Sequence, residues 1–76
     1  MYENWKNDEY MIRDAVSWAS EKSGRTVQFT NKNGVWICLF RDEEIDEGKP
    51  KSMSHPFLRK AIMYAAEKFG IYLLRS

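Results

Sequence analysis

Five carboxylates crowd six consecutive positions of the chain: Asp42, Glu43, Glu44, Asp46 and Glu47. Oxygen clusters of this kind can hold hard cations such as Ca²⁺ or Mg²⁺, but the regular spacing and distal Glu of a helix-loop-helix calcium site are missing. No metal site is assigned to them. The same negative patch suits a basic protein surface, reached by long-range attraction and by contacts with Arg or Lys, and these five residues are the candidate partner-binding set. A solvated loop that keeps a sheet edge from pairing is the plainer explanation, because short charge runs usually do only that.

A second set of charges has the opposite sign. Lys49, Lys51, Arg59 and Lys60 bracket the start of a predicted helix, where they and the helix dipole could hold a phosphate of a nucleotide or RNA. Ordinary solubilising charge accounts for them more simply. His55 is the only histidine and Cys38 the only cysteine, and neither stands in a recognisable nucleophile arrangement. A cysteine inside six apolar residues is normally inert packing. The four glycines, Gly24, Gly34, Gly48 and Gly70, are too widely separated for a phosphate-binding loop or a dinucleotide fingerprint. No catalytic residue and no cofactor are assigned.

The elements that position these residues follow from periodicity. From about Asp8 to Ser23, Met11, Ile12, Ala15, Val16, Trp18 and Ala19 recur at three- and four-residue spacing, which predicts an amphipathic helix closed by Gly24. Trp5 is placed to pack back on its first turns. Arg25 to Thr30 then alternates as a half-buried strand, and Asn31-Lys32-Asn33-Gly34 ends in the strongest short hairpin signal.

The next strand, Val35-Trp36-Ile37-Cys38-Leu39-Phe40, is apolar at every position, so both sides of its pleat need a cover, either a helix or another molecule. A hairpin loop of two or four residues puts Val27 and Phe29 on the face of Trp36, Cys38 and Phe40; a three-residue loop puts them with Val35, Ile37 and Leu39. We take the even-numbered loop, which leaves Val35, Ile37 and Leu39 beside small polar residues.

Residues 42–54 read as an exposed loop, of a length more often functional or mobile than connecting. Ser54-His55-Pro56 opens a second helix, with Phe57, Leu58, Ala61, Ile62, Ala65, Ala66 and Phe69 as its apolar stripe and Gly70 as its cap. Ile71-Tyr72-Leu73-Leu74 has the composition of a short final strand. The expected fold class is therefore α+β: one domain spanning residues 1–76, with element order α-β-β-α-β, a small antiparallel sheet and its helices on opposite faces.

A chain of 76 residues buries only about 60% of the surface it exposes when unfolded. Eleven aromatic rings, three Trp, four Tyr and four Phe, are hard to hide in so small a core, and some of them suit an interface. The net charge of +1 supplies no global field for nucleic acid or an anionic membrane. The unpaired cysteine fits a reducing compartment. Met1-Tyr2-Glu3-Asn4 lacks the features of a signal peptide, and no apolar run approaches the roughly 20 residues of a membrane helix. A cytoplasmic protein is expected.

The element order, Trp18 in the first helix, the Trp36-bearing hairpin and the Ala61, Ala65, Ala66 pattern after Ser54 together resemble the small phage proteins of the phage ABA-sandwich domain. The resemblance covers most of the chain as a pattern. It implies helices on opposite sides of a little sheet and an origin in a phage or other mobile element. It carries no functional residue across. The reading that follows is a non-catalytic phage accessory or anti-defence factor that occupies a host or defence protein through a preformed surface. A homodimer is favoured, because uncovered apolar sheet is readily covered by a second copy. A nucleotide or nucleic-acid binder using the four cations is the alternative.

Overall fold

The computed structural model describes residues 8–68 and residue 70. In chain order it has α1 (Asp8–Ser20), β1 (Arg25–Lys32), β2 (Val35–Asp42), β3 (Lys51–His55) and α2 (Leu58–Glu67), with a short turn at Asp46–Gly48 before β3. The three strands form one antiparallel sheet with β2 in the middle. This is an α+β domain, with the order α-β-β-β-α where α-β-β-α-β was expected.

The hairpin loop has two residues: Lys32 stands opposite Val35, and Asn33 and Gly34 both adopt positive φ, 54° and 83°. That is the backbone a type I′ turn requires, and Asn-Gly supplies it at little cost. With the loop even-numbered, Val27 pairs with Phe40, Phe29 with Cys38 and Asn31 with Trp36. These side chains share a face because directly opposed residues point the same way.

The third strand lies inside the segment expected to be a loop. Lys51–His55 pairs with β2, setting Lys51 opposite Phe40, Met53 opposite Cys38 and His55 opposite Trp36. Its only apolar residue is Met53, so the strand carries little pattern of its own; the middle strand's need for a second edge partner creates it. The expected strand at 71–74, like Trp5 and Phe69, lies outside the described residues.

Both helices pack on the same face of the sheet, which corrects the expected placement on opposite faces. Met11, Ala15 and Trp18 of α1, Cys38 and Phe40 of β2, and Leu58, Ala61, Ile62, Ala65 and Ala66 of α2 form one buried cluster. Val27, Phe29, Trp36 and Met53 pack against it. α1 lies on α2 and β1, while α2 covers β2 and β3. The reason is the balance of the two sheet faces. One offers apolar side chains from all three strands, Val27, Phe29, Trp36, Cys38, Phe40 and Met53, whereas the other offers only the middle row. A helix has a single apolar stripe to bury and gains more on the first face. Alanines at 61, 65 and 66 let α2 come close to the strands.

α1 ends at Ser20, three residues before the expected limit, and α2 begins at Leu58, after a turn through Pro56 and Phe57. Ser54 and His55 belong to the strand. The Nδ1 of His55 accepts a hydrogen bond from the Phe57 backbone N–H at 3.0 Å, which fixes the bend into α2. At the other end of this helix, the Gly70 N–H donates to the Glu67 carbonyl, and its φ of 68° is the left-handed closure expected of a C-terminal glycine.

Candidate functional site

The acidic residues do not stand together as a free patch. Asp42 closes β2 and is 1% exposed. Its carboxylate accepts from Arg25 Nε at 2.9 Å and from the Glu44 backbone N–H at 2.9 Å. The same guanidinium donates to the Trp18 carbonyl at 3.0 Å and to Glu21 at 3.3 Å, and it lies 4.6 Å above the Trp18 ring. Asp42 is thus a latch joining the end of α1 to both strands of the hairpin. The Glu44 backbone N–H and then Arg25 hold its carboxyl below the usual carboxylate range.

Glu44 pairs with Lys22 at 2.8 Å, and Asp46 pairs with Lys51, whose hydrogen bond lowers the carboxyl's pKa. Glu43 lies against Gly24. Three of the five acids are therefore bound to cations of the chain itself. Among the described residues, no three His, Cys, Asp or Glu side chains converge as a metal ion would need. The turn beneath them is held from the sheet: Asp46, Glu47 and Gly48 all have positive φ, and Arg41 Nε donates to the Gly48 carbonyl at 2.8 Å.

The four cations are split. Lys49 and Lys51 precede or open β3, whereas Arg59 and Lys60 lie in the first turn of α2 beyond its far end. β3 alone separates them by roughly 13 Å, four residue steps of about 3.3 Å. Lys51 is engaged by Asp46, and Arg59 lies 4.9 Å from the centre of the Phe57 ring and 3.8 Å from Asp8. No common phosphate site is built from them.

Cys38 is fully buried in the core, where desolvation pushes its thiol up to about 12. A thiol in that state is not a nucleophile near neutral pH. A thiol-specific reagent should leave the native protein unmodified over the time in which the urea-unfolded chain reacts completely, and equal rates would show the core open. The His55 ring stacks near Phe57 and Tyr64, with centroids 5.7 and 5.8 Å away, and serves the turn into α2.

What remains is the sheet face turned away from both helices. Val35, Ile37 and Leu39 form its middle row and are half-buried. On the β1 side, Thr30 stands opposite Ile37 and Gln28 opposite Leu39; on the β3 side the same two residues face Ser54 and Ser52. The result is one apolar ridge between two polar rows. Thr30, Gln28, Ser52 and Ser54 are all exposed, and no described element covers the ridge.

Sequence reasoning identified the row but assigned its cover to a helix. The Ser-Met-Ser alternation of residues 52–54 was the available signal that a third strand, with its own polar row, lay there. Comparison with protein-family models, curated proteins and solved structures finds no match, so the functional reading rests on the residues of this face.

Proposed function

We propose that the chain is a non-catalytic binding protein that grips another protein through the helix-free face of its sheet. The observation that supports this is the Val35, Ile37, Leu39 row, lying in the central strand with neither helix over it. Apolar residues in the middle of a sheet are ordinarily covered, and a contiguous uncovered patch is characteristic of an interaction surface. Full burial of a Val, Ile or Leu contributes about 1.5–3 kcal/mol, and each of these is already half-buried. The row therefore supplies only part of a complex's stability, and the polar rows beside it must supply specificity.

The acidic residues Asp42, Glu43, Glu44, Asp46 and Glu47 take a smaller share in this reading than in the sequence-based one, because their charges are largely compensated within the chain. In the phage setting suggested by the resemblance, the protein gripped would be a host or defence component.

The direct test replaces Val35, Ile37 and Leu39 together with threonine, which keeps strand propensity while removing apolar surface. Immobilised wild-type chain and the triple variant, matched for thermal unfolding, are exposed to the same lysate. A protein retained by the wild type and lost by the variant supports the reading. Identical retained sets, or none retained by the wild type, would remove it.

A further inference from the structure

The open face has a charge pattern as well as an apolar ridge. Lys32 stands beside Val35 at one end, and Arg41 extends the middle row at the other. No strand residue of this face is a carboxylate. Among the described residues neither cation forms an ion pair, and Arg41 is held only by its bond to the Gly48 carbonyl.

A second copy of the chain fits this surface poorly. Stacked face to face, two copies would oppose cations to cations. The footprint is also small. Two strands of eight residues and one of five, about 4.8 Å apart, cover at most roughly 14 by 26 Å, well short of the roughly 800 Å² per partner of a stable interface.

A single helix matches better. It is about 10 Å across and needs only one narrow apolar line beneath it, and its polar flanks would lie over the hydroxyl and amide rows. About 17 residues would span the face, at roughly 1.5 Å each.

We propose that this face binds an amphipathic helix of a partner protein, its apolar stripe along Val35, Ile37 and Leu39 and its flanking carboxylates facing Lys32 and Arg41. The inference rests on the binding reading above and adds the partner's chemistry.

The test uses two synthetic helical peptides of about 17 residues that share one leucine stripe, one flanked by Glu and the other by Lys, titrated against the full chain by fluorescence anisotropy. The Glu-flanked peptide should bind roughly tenfold more tightly, the gap expected from making rather than opposing two exposed ion pairs. Combining Lys32→Glu with Arg41→Gln, which keeps a donor for the Gly48 carbonyl, leaves one negative charge on the face and should reverse that preference. Lys32→Glu alone, at an exposed position beside the turn, leaves one charge of each sign and should close the gap. The Thr triple variant should bind neither peptide.

Equal affinity for the two peptides, binding of neither, or a gap that survives both charge variants overturns the proposal. So does self-association that the Thr triple variant abolishes, which would make a second copy the occupant. Peptide binding that appears only after deletion of residues 71–76 would also overturn it, by assigning the face to the chain's own tail. If both peptides fail while lysate retention still depends on the row, the binding reading stands and only the acidic-helix partner falls; if retention is also independent of the row, both fall.

Discussion

Phe40→Ala should remove a large share of the chain's folding stability. Phe40 is fully buried, with its ring centroid 5.0 Å from that of Trp18, and belongs to the cluster on which both helices pack. Truncating a core Phe costs about 3–5 kcal/mol. A domain of 76 residues has about 4–11 kcal/mol in all, at roughly 0.05–0.15 kcal/mol per residue. Urea titration followed by far-ultraviolet circular dichroism would read the loss. Phe40→Leu, which keeps most of the volume, should retain a cooperative transition. An Ala variant as stable as wild type would mean that the sheet and helices do not share this core.

The second large effect is at Asp42, where Asp42→Asn should lower stability at neutral pH and flatten its dependence on acid. The carboxyl's folded pKa is depressed, by the Glu44 backbone N–H first and Arg25 second. A depressed carboxylate contributes its stability in full above its unfolded pKa, about 4, and loses it as pH falls through the lower folded value. Wild-type stability should therefore decline on acidification below about pH 4, and the Asn variant should lack this residue's share of the decline. Its loss at pH 7 should exceed that of Gln at Glu43, Glu44 or Glu47, whose side chains are exposed. Thermal melts of the four variants between about pH 2 and 7 would show this. Wild type and Asp42→Asn falling in parallel on acidification would assign the acid sensitivity elsewhere.

The hairpin and both helices were legible in the chain because their signals are local. Asn33-Gly34 carries its own turn geometry, and the stripes through Met11, Ala15 and Trp18 and through Leu58, Ala61, Ile62 and Ala65 need no partner to be recognised. β3 was not legible. Lys51, Ser52, Met53, Ser54 and His55 become a strand only because β2 has an unpaired edge, which is a tertiary fact. The side taken by α2 was hidden for the same reason: Met53 and the two serines tip the balance between the sheet faces, and that requires knowing that they form a strand.

The acidic run misled in a related way. Five carboxylates in six positions suggest a surface looking for a cation, while Arg25, Lys22 and Lys51, which engage three of them, lie 17, 22 and 5 residues away along the chain. Counting charge along a sequence shows supply without showing what the fold has already consumed. The Val35, Ile37, Leu39 row was legible in the sequence, but as a row under a helix; that it lies open follows only from both helices taking the other face.

The position of α2 after the whole sheet bears on how the protein is born. This helix provides Leu58, Ala61, Ile62, Ala65 and Ala66, half of the ten buried apolar residues among those described. A ribosome adding about 5–20 residues per second completes β3 on the order of a second before it completes α2. During that interval α1 has no helix to lie against, and the nascent sheet has only α1 to cover one of its sides. Folding must wait for the C-terminal portion of the chain, and the unfinished polypeptide is the stage at which chaperones or proteases have most to recognise.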